Sequence, residues 1–506
     1  MDLDGDACYR AILMRDVRFD GRFFTGVKTT GIYCRPVCPA RTPRRENVSF
    51  LPSAAAAQEA GFRPCLRCRP EAAPNIDVWR GTSNTLSRAL AMIEMGALDG
   101  GDVQALSERL CVGEGELRRL FQKHVGAAPV SVAQTQRILL AKQLIHETSL
   151  SMTQVASAAG FASTRRFNEV FRKMYGRPPA KLRRAAASPR ASQARDRITI
   201  LLRYRPPYDW PTMLAFLRDR AIAGVEVVMG ETYARTIRIA GSQGIVSLRP
   251  GRGNALEATI RFPKLSALPM IIARLRRVFD LAADPLTIGA HLSADPVLAP
   301  LVALRPGLRV PGAWDGFELA VRAVLGQQIT VSAAIGLAGK LVAAHGERLA
   351  RDNEFGLTHF FPKPQRIASI DVETLSMPRA RGRALASLAA SVAADPQIFA
   401  ARPSLEEAIA HLCALPGIGE WTAHYIAMRE MREHDAFPAS DIGLMRALAD
   451  RHGHRPSPRE LLARAERWRP WRAYAAQHLW ASYVAPAAKP KRSRSSASDV
   501  AGMELS

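Results

Sequence analysis

The chain has 506 residues, too many for one compact core, so roughly two to four domains are expected. Its 70 Lys and Arg against 46 Asp and Glu leave a formal charge of +24, which points to an extended polyanion, nucleic acid first, as the partner. No apolar run approaches the ~20 residues that span a bilayer, Met1 to Arg10 lacks the basic start of a secretory leader, and the 7 cysteines are too few for a disulfide scaffold. A cytosolic, non-membrane protein is therefore expected.

Residues 1–75 are rich in Arg, Pro and Cys and show little helical periodicity. Cys34 and Cys38 are separated by three residues, Cys65 and Cys68 by two, and the stretch between the pairs can close a loop around one tetrahedral zinc. Such a zinc could serve only to hold a small domain together. The surrounding residues say more: Phe24 to Arg41, then Gly61-Phe62-Arg63-Pro64-Cys65-Leu66-Arg67-Cys68-Arg69-Pro70, resemble the Ada methyl-phosphotriester domain. That resemblance implies that Cys34 takes a methyl group from a DNA phosphotriester while Cys38, Cys65 and Cys68 complete the ligand set. Four thiolates around Zn²⁺ carry −2 and repel ordinary phosphates. Methylation of Cys34 reduces the charge to −1, worth roughly 0.7 to 3 kcal/mol at ~6 Å, so damage is expected to raise DNA affinity.

Residues 78–184 carry amphipathic helix patterns. Asp102 to Leu110, a Cys111-Val112-Gly113 turn and Glu116 to Val125 form one helix-turn-helix pattern. Ser151 to Ala156, Gly160-Phe161 and Ser163 to Lys173 form a second, in which Phe167, Val170 and Phe171 should bury. A single copy would suit a structural bundle equally well. Two in tandem, closed by Tyr175-Gly176-Arg177-Pro178-Pro179, resemble the AraC-type DNA-binding domain. Arg118, Arg119, Arg165 and Arg166 are then candidates for groove or phosphate contact.

Residues 185–196 read as a flexible linker, and 197–264 as an antiparallel β subdomain with strand segments at Arg197–Tyr204, Gly224–Met229, Tyr233–Ile239, Gly244–Leu248 and Leu256–Phe262. Residues 265–485 turn helical. The basic end, 486–506, reads as a disordered tail. The expected class is thus multidomain α+β: a small zinc domain, an all-α tandem helix-turn-helix, a β subdomain and a helical remainder.

Within that remainder, Leu415-Pro416-Gly417-Ile418-Gly419 sits between two helical patterns, a tight turn whose backbone N–H groups can approach a phosphate, although it could be an ordinary interhelical turn. It resembles the helix-hairpin-helix signature, with Gly417 and Gly419 at the DNA backbone. About twenty residues on, Asp441 stands at a helix start, where an aspartate is ordinarily just an N-cap. Hairpin and aspartate together resemble the DNA glycosylase superfamily. Trp314 to Glu318, Val321 to Gln328 and Trp468 to Ala475 extend the likeness to AlkA-type 3-methyladenine glycosylases over most of 197–485.

The resemblance makes Asp441 the catalytic carboxylate, stabilising an oxocarbenium-like sugar. It makes Trp421, Tyr425 and Trp480 pocket residues, whose aromatic faces attract a flipped cationic base. Trp421 stands where bifunctional relatives place a Schiff-base lysine, which implies hydrolysis without strand cleavage. Gln328 stands where the AlkA type wedges an apolar residue into the duplex, a departure affecting base-stack penetration.

The function expected is a bifunctional alkylation-repair enzyme and regulator using one Zn²⁺. Its partners are alkylated and promoter double-stranded DNA, its place is the bacterial cytoplasm with the nucleoid, and RNA polymerase is the contact an activator implies. The competing expectation is a regulator whose glycosylase-like half is an inactive DNA clamp. No guanine-alkyl-acceptor motif of the Pro-Cys-His-Arg kind occurs.

Overall fold

The structure, a computed structural model, describes residues 4–74, 84–100, 102–185, 197–371, 377–400, 402–450 and 452–482. The expected basic tail and all of the expected linker but Ala185 lie outside these residues; Ala185 closes the helix Pro179–Ala185.

The amino-terminal unit is built on a four-stranded sheet in the order β3-β1-β2-β4, with β1 Phe24–Val27, β2 Ile32–Cys34, β3 Val48–Leu51 and β4 Arg63–Pro64. β2 and β4 run parallel, pairing Tyr33 with Pro64. Each of these residues is followed by a cysteine, so one register brings Cys34 and Cys65 side by side, and the Cys65 N–H donates to the Tyr33 carbonyl at 3.0 Å. Tyr33 is fully buried, packs edge-on against Phe24 and accepts a hydrogen bond from Gln58.

Two helix pairs follow: Val103–Arg109 with Glu114–Val125, and Met152–Ala158 with Thr164–Tyr175. Asp102 caps the first helix and a Ser151/Gln154 capping box starts the third, as Asp and Ser do wherever a helix leaves its first N–H groups unpaired. A 19-residue helix, Pro129–Glu147, joins the pairs. Phe167 and Phe171 are fully buried and Val170 nearly so.

The sheet that follows is antiparallel and five-stranded, in the order β5-β9-β8-β7-β6: β5 Ile198–Arg203, β6 Glu226–Met229, β7 Thr232–Ile239, β8 Ser242–Pro250 and β9 Ala255–Arg261. Between β5 and β6 lies a helix, Trp210–Arg220, that the strand pattern did not reveal. A buried lattice of charges locks the sheet to the helix Gly316–Leu325. Arg235 meets Glu318 at 2.7 Å and Glu226 at 3.4 Å, and Arg322 pairs with both glutamates. Burial pushes Glu226 up, but Arg322 and Arg235 outweigh it and bring the carboxyl down to about 2.

These units share their interior. One apolar cluster runs from Ile138, Leu144 and Phe167 of the helix pairs to Ile200, Leu202, Val246 and Phe279 of the sheet region. Polar contacts cross the same junction. The Leu201 N–H donates to Glu147 and Gln143 donates to the Leu201 carbonyl, both at 2.9 Å; Lys142 reaches Glu71 at 2.8 Å with both side chains buried. Arg205 donates to the Asp20 carbonyl at 2.9 Å and to Asp284 at 2.7 Å.

Candidate functional sites

The sulfurs of Cys34, Cys38, Cys65 and Cys68 all lie within 4.8 Å of one another. Tetrahedral zinc with Zn–S bonds of ~2.3 Å separates its sulfurs by about 3.8 Å, so the cluster fits one zinc ion after a small contraction. Hydrogen bonding with Cys38 drives the Cys34 thiol up, and hydrogen bonding with Cys34 drives the Cys65 thiol down. Sulfurs this close share protons, and all four ionise together only around a cation.

The four are not equivalent. Cys65 and Cys68 are buried, while Cys34 and Cys38 are half-exposed. The Arg35 N–H donates to Cys68 at 3.3 Å, the Arg67 N–H donates to Cys65 at 3.4 Å, and the Ala40 N–H bonds to Cys38. Among the described residues no backbone N–H donates to the Cys34 sulfur. Such donors stabilise a thiolate and dull it, so Cys34 is the least dulled of the set. It opens on a cleft of about 440 Å³ walled by Thr30, Arg63 and Arg67 and, from the second helix-turn-helix, by Tyr175 and Arg177.

Arg118, Arg119, Arg165 and Arg166 are all exposed on the second helices of the two pairs. Each faces a carboxylate of its own helix: Arg118 Glu114, Arg119 Glu116, and both Arg165 and Arg166 Glu169. Exposed pairs of this kind contribute ~0.3–0.5 kcal/mol and yield readily to a phosphate.

In the carboxy-terminal half, the helices Leu405–Cys413 and Glu420–Arg429 flank the Leu415–Gly419 turn. Gly417 takes φ +81°, and a Cβ there would lie 2.3 Å from that of Ala384, so the turn demands glycine twice over. Around Gly419 a Cβ would meet nothing within 4 Å, and no side chain caps the helix it starts. Gly417, Gly419 and Glu420 are exposed, so the turn and the start of that helix are open to solvent. Gln328 is exposed at φ +59°, and its neighbour Gln327 donates to the Gly417 carbonyl at 2.9 Å, tying that loop to the hairpin.

Asp441 does cap a helix, Ile442–Ala447, accepting the Leu444 N–H at 2.9 Å on Oδ1. It also receives two indoles: Trp480 Nε1 donates to Oδ1 at 2.9 Å and Trp421 Nε1 to Oδ2 at 2.8 Å. Three donors fix the carboxylate's plane and leave Oδ2 free to face a further charge. Trp421 stacks on Tyr425, centroids 5.3 Å apart and 11° from parallel.

Three residues of this site escaped the sequence reading. Gly443 lets Trp480 close on Asp441: a Cβ there would lie 2.9 Å from Asp441 Oδ1 and 3.3 Å from Trp480 Cδ1. Phe216 comes from the distant Trp210–Arg220 helix and Arg429 from the far end of the hairpin's own second helix, and the Arg429 guanidinium faces the rings of Phe216, Tyr425 and Trp480 at 4.6, 4.9 and 5.5 Å. The aromatic faces of Tyr425 and Trp480, expected to await a cationic base, thus already face a cation.

Comparison with known families matches residues 7–71 to the "Metal binding domain of Ada", 106–185 to a "Helix-turn-helix domain", 199–315 to the "AlkA N-terminal domain" and 321–473 to the "HhH-GPD superfamily base excision DNA repair protein". A Mycobacterium tuberculosis protein named "Probable bifunctional transcriptional activator/DNA repair enzyme AlkA" is 43% identical over 96% of this chain and 97% of its own length. The Escherichia coli "DNA-3-methyladenine glycosylase 2" is 35% identical over 55% of this chain and 95% of its own. The E. coli "Bifunctional transcriptional activator/DNA repair enzyme Ada" is 33% identical over 31% of this chain and 43% of its own. A relative aligned nearly end to end, with the four family matches falling in order along one chain, places this protein in the family of bifunctional transcriptional activator/DNA repair enzymes of the AlkA type.

Proposed function

We propose that the chain repairs alkylated DNA at two centres and uses one of them as a transcriptional switch. Residues 1–75 accept a methyl group, 78–184 read promoter DNA, 185–196 link them to the rest, 197–264 support the glycosylase and 265–485 carry it. The observation that carries this reading is Asp441, held by two indoles beside the hairpin.

Cleavage of the N-glycosidic bond moves its electron pair onto the departing base and leaves positive charge on the sugar. The fixed Asp441 carboxylate faces that charge without reorganising, water then adds at the sugar carbon, and its proton leaves to solvent. Trp421 and Trp480 orient the carboxylate, and Trp421, Tyr425 and Trp480 flank the flipped nucleotide. 3-Methyladenine and 7-methylguanine are the substrates this suits, because an N-alkylated purine leaves as a neutral base. Gly417, Gly419 and Gln328 meet the DNA. Trp421, unlike a lysine, cannot form a Schiff base, so the abasic strand stays intact.

At the other centre, zinc held by Cys34, Cys38, Cys65 and Cys68 would keep the sulfurs ionised near neutral pH. The Cys34 sulfur attacks the methyl carbon of a phosphotriester, a C–S bond forms as the C–O bond breaks, and an ordinary phosphodiester anion leaves. The loss of one negative charge then favours DNA on Arg118, Arg119, Arg165 and Arg166, with RNA polymerase recruited at the promoter. Duplex treated with a methylating agent tests the glycosylase centre: the protein should free alkylpurines and Asp441→Asn should not. An Asp441→Asn variant as active as the parent would overturn the assignment.

A further inference from the structure

Two cations lie at the base-side end of the Asp441 site, and among the described residues no carboxylate pairs with either. Arg429, the last residue of its helix, is 3% exposed. Its Nη1 donates to the Pro311 carbonyl at 2.8 Å and its Nη2 to Gln477 at 3.2 Å, while Nε has no partner. Arg220, half-buried at the end of the Trp210–Arg220 helix, lies 4.0 Å over the Phe216 ring, and Arg429 lies 4.6 Å from the same ring. Among the described residues neither arginine makes an ion pair.

Other enclosed arginines show a contrast. Arg235, Arg322 and Arg472, also enclosed, each face carboxylates, and Arg309 is wrapped by four carbonyl oxygens. Arg220 and Arg429 have the Tyr425 hydroxyl as a hydrogen-bonding neighbour instead, and a buried charge with no carboxylate partner is a mark of function more than of stability. The surroundings register it: burial resists ionisation of Tyr425, yet Arg429 and Arg220 hold its phenol below the ordinary value.

The two indoles separate these cations from the anion. Trp480 has its ring 5.5 Å from Arg429 and its Nε1 2.9 Å from Asp441; Trp421 stacks on Tyr425 and donates to the other carboxylate oxygen. A nucleotide with its sugar at Asp441 and its base against the aromatic rings would lie with positive potential behind the base and negative potential at the sugar.

We propose that Arg220 and Arg429 determine specificity by setting, opposite Asp441, a field along the scissile N-glycosidic bond. This rests on the base-excision reading above. In a cationic N-alkylpurine the charge starts on the base, near the arginines, and ends on the sugar, near the carboxylate. The bonding electron pair moves the opposite way and neutralises the purine. The arginines therefore weaken ground-state binding of a cationic base and speed its departure, an exchange of affinity for rate. A neutral base meets no such repulsion on binding. At about 6 Å one unit charge is worth roughly 3- to 100-fold between effective dielectrics of 80 and 20.

The test uses the full-length protein and Arg220, the more accessible of the two. Binding is measured by fluorescence anisotropy to a duplex bearing one cleavage-resistant 2′-fluoro-7-methylguanine, a cation, and to the matched duplex with neutral 2′-fluoroguanine. Release of 7-methylguanine is followed under single-turnover conditions. Arg220→Gln should bind the cationic lesion 3- to 100-fold more tightly, leave the neutral duplex unchanged and release base more slowly; Arg220→Lys should restore parental behaviour in all three. Equal changes on both duplexes, or weaker binding of the cationic lesion, would show a merely structural residue and overturn the proposal. Failure of the parent protein to release any 7-methylguanine would instead remove the base-excision reading beneath it.

Discussion

Gly443 offers a test in which two physical effects pull apart. It lies inside the helix Ile442–Ala447, where replacing Gly by Ala normally stabilises by up to about 1 kcal/mol. Yet the new methyl would lie 2.9 Å from Asp441 Oδ1, 3.3 Å from Trp480 Cδ1 and 3.5 Å from Trp480 Nε1, so either the indole or the carboxylate must move. The Trp480–Asp441 hydrogen bond, with an ionised acceptor, is of the class worth ~1.5–3 kcal/mol. If that bond orients the carboxylate in the transition state, its loss slows base release by about 10- to 150-fold. Gly443→Ala should therefore lose no more than about 3 kcal/mol of stability and stay folded at the assay temperature, yet fall by that factor in single-turnover release of 7-methylguanine. Undiminished release would refute the reasoning, because the indole clamp would then not be what positions Asp441.

Three further outcomes are expected. Removing one member of the buried Lys142–Glu71 pair by Glu71→Gln leaves a cation without its counter-charge and should cost ~3–5 kcal/mol in urea unfolding; an unchanged midpoint would show that the junction does not depend on it. Because apolar cluster and polar contacts cross from the helix pairs to the sheet, that loss should appear in a single transition reported by tryptophans of the carboxy-terminal half, and a separate early transition would contradict the shared interior. Burial pushes His424 and His478 down to about 4 from 6.5, so the folded state resists protons that the unfolded state accepts. Their contribution, up to about 3 kcal/mol each, is complete above pH 6.5 and lost as the pH falls towards 4; a urea midpoint flat across that interval would contradict it.

The sequence made the local chemistry readable and left its supports unreadable. Cys34, Cys38, Cys65 and Cys68 announce themselves by spacing, because a metal selects residue type and loop length together. Asp441 is visible through its distance from the Leu415–Gly419 turn. The N-cap role does not exclude the proposed role as the site's carboxylate, since Oδ1 accepts the Leu444 N–H and an indole at once. The five strands were legible from β-branched runs between turns; the Trp210–Arg220 helix was missed although its buried Trp210, Met213, Leu214 and Leu217 keep the i, i+3, i+4, i+7 spacing of a helical face, because the unbroken apolar run from Met213 to Leu217 masks that spacing.

What stayed hidden was long-range. Nothing near Gly443 in the chain says that Trp480 must pass close to it, and nothing near Arg429 says that Phe216, more than 200 residues earlier, will lie against it. The burial of residues 129–147 against β5 was equally invisible, since an apolar helix face does not name its partner. The four arginines expected as candidates for groove or phosphate contact are exposed, but each faces a glutamate of its own helix, so a phosphate would have to displace a weak ion pair.

Two separate residues of one chain, Cys34 and Asp441, are proposed to act on two different injuries. One reaction tests this most directly: full-length protein loaded with zinc, a duplex carrying both a methyl phosphotriester and 7-methylguanine, mass analysis of the Cys34 peptide, and detection of the freed base. The parent should show both a methylated Cys34 peptide and free 7-methylguanine, Cys34→Ser only the base, and Asp441→Asn only the methylated peptide. A parent protein that leaves both lesions in place, or a methyl group found on another cysteine, would contradict it.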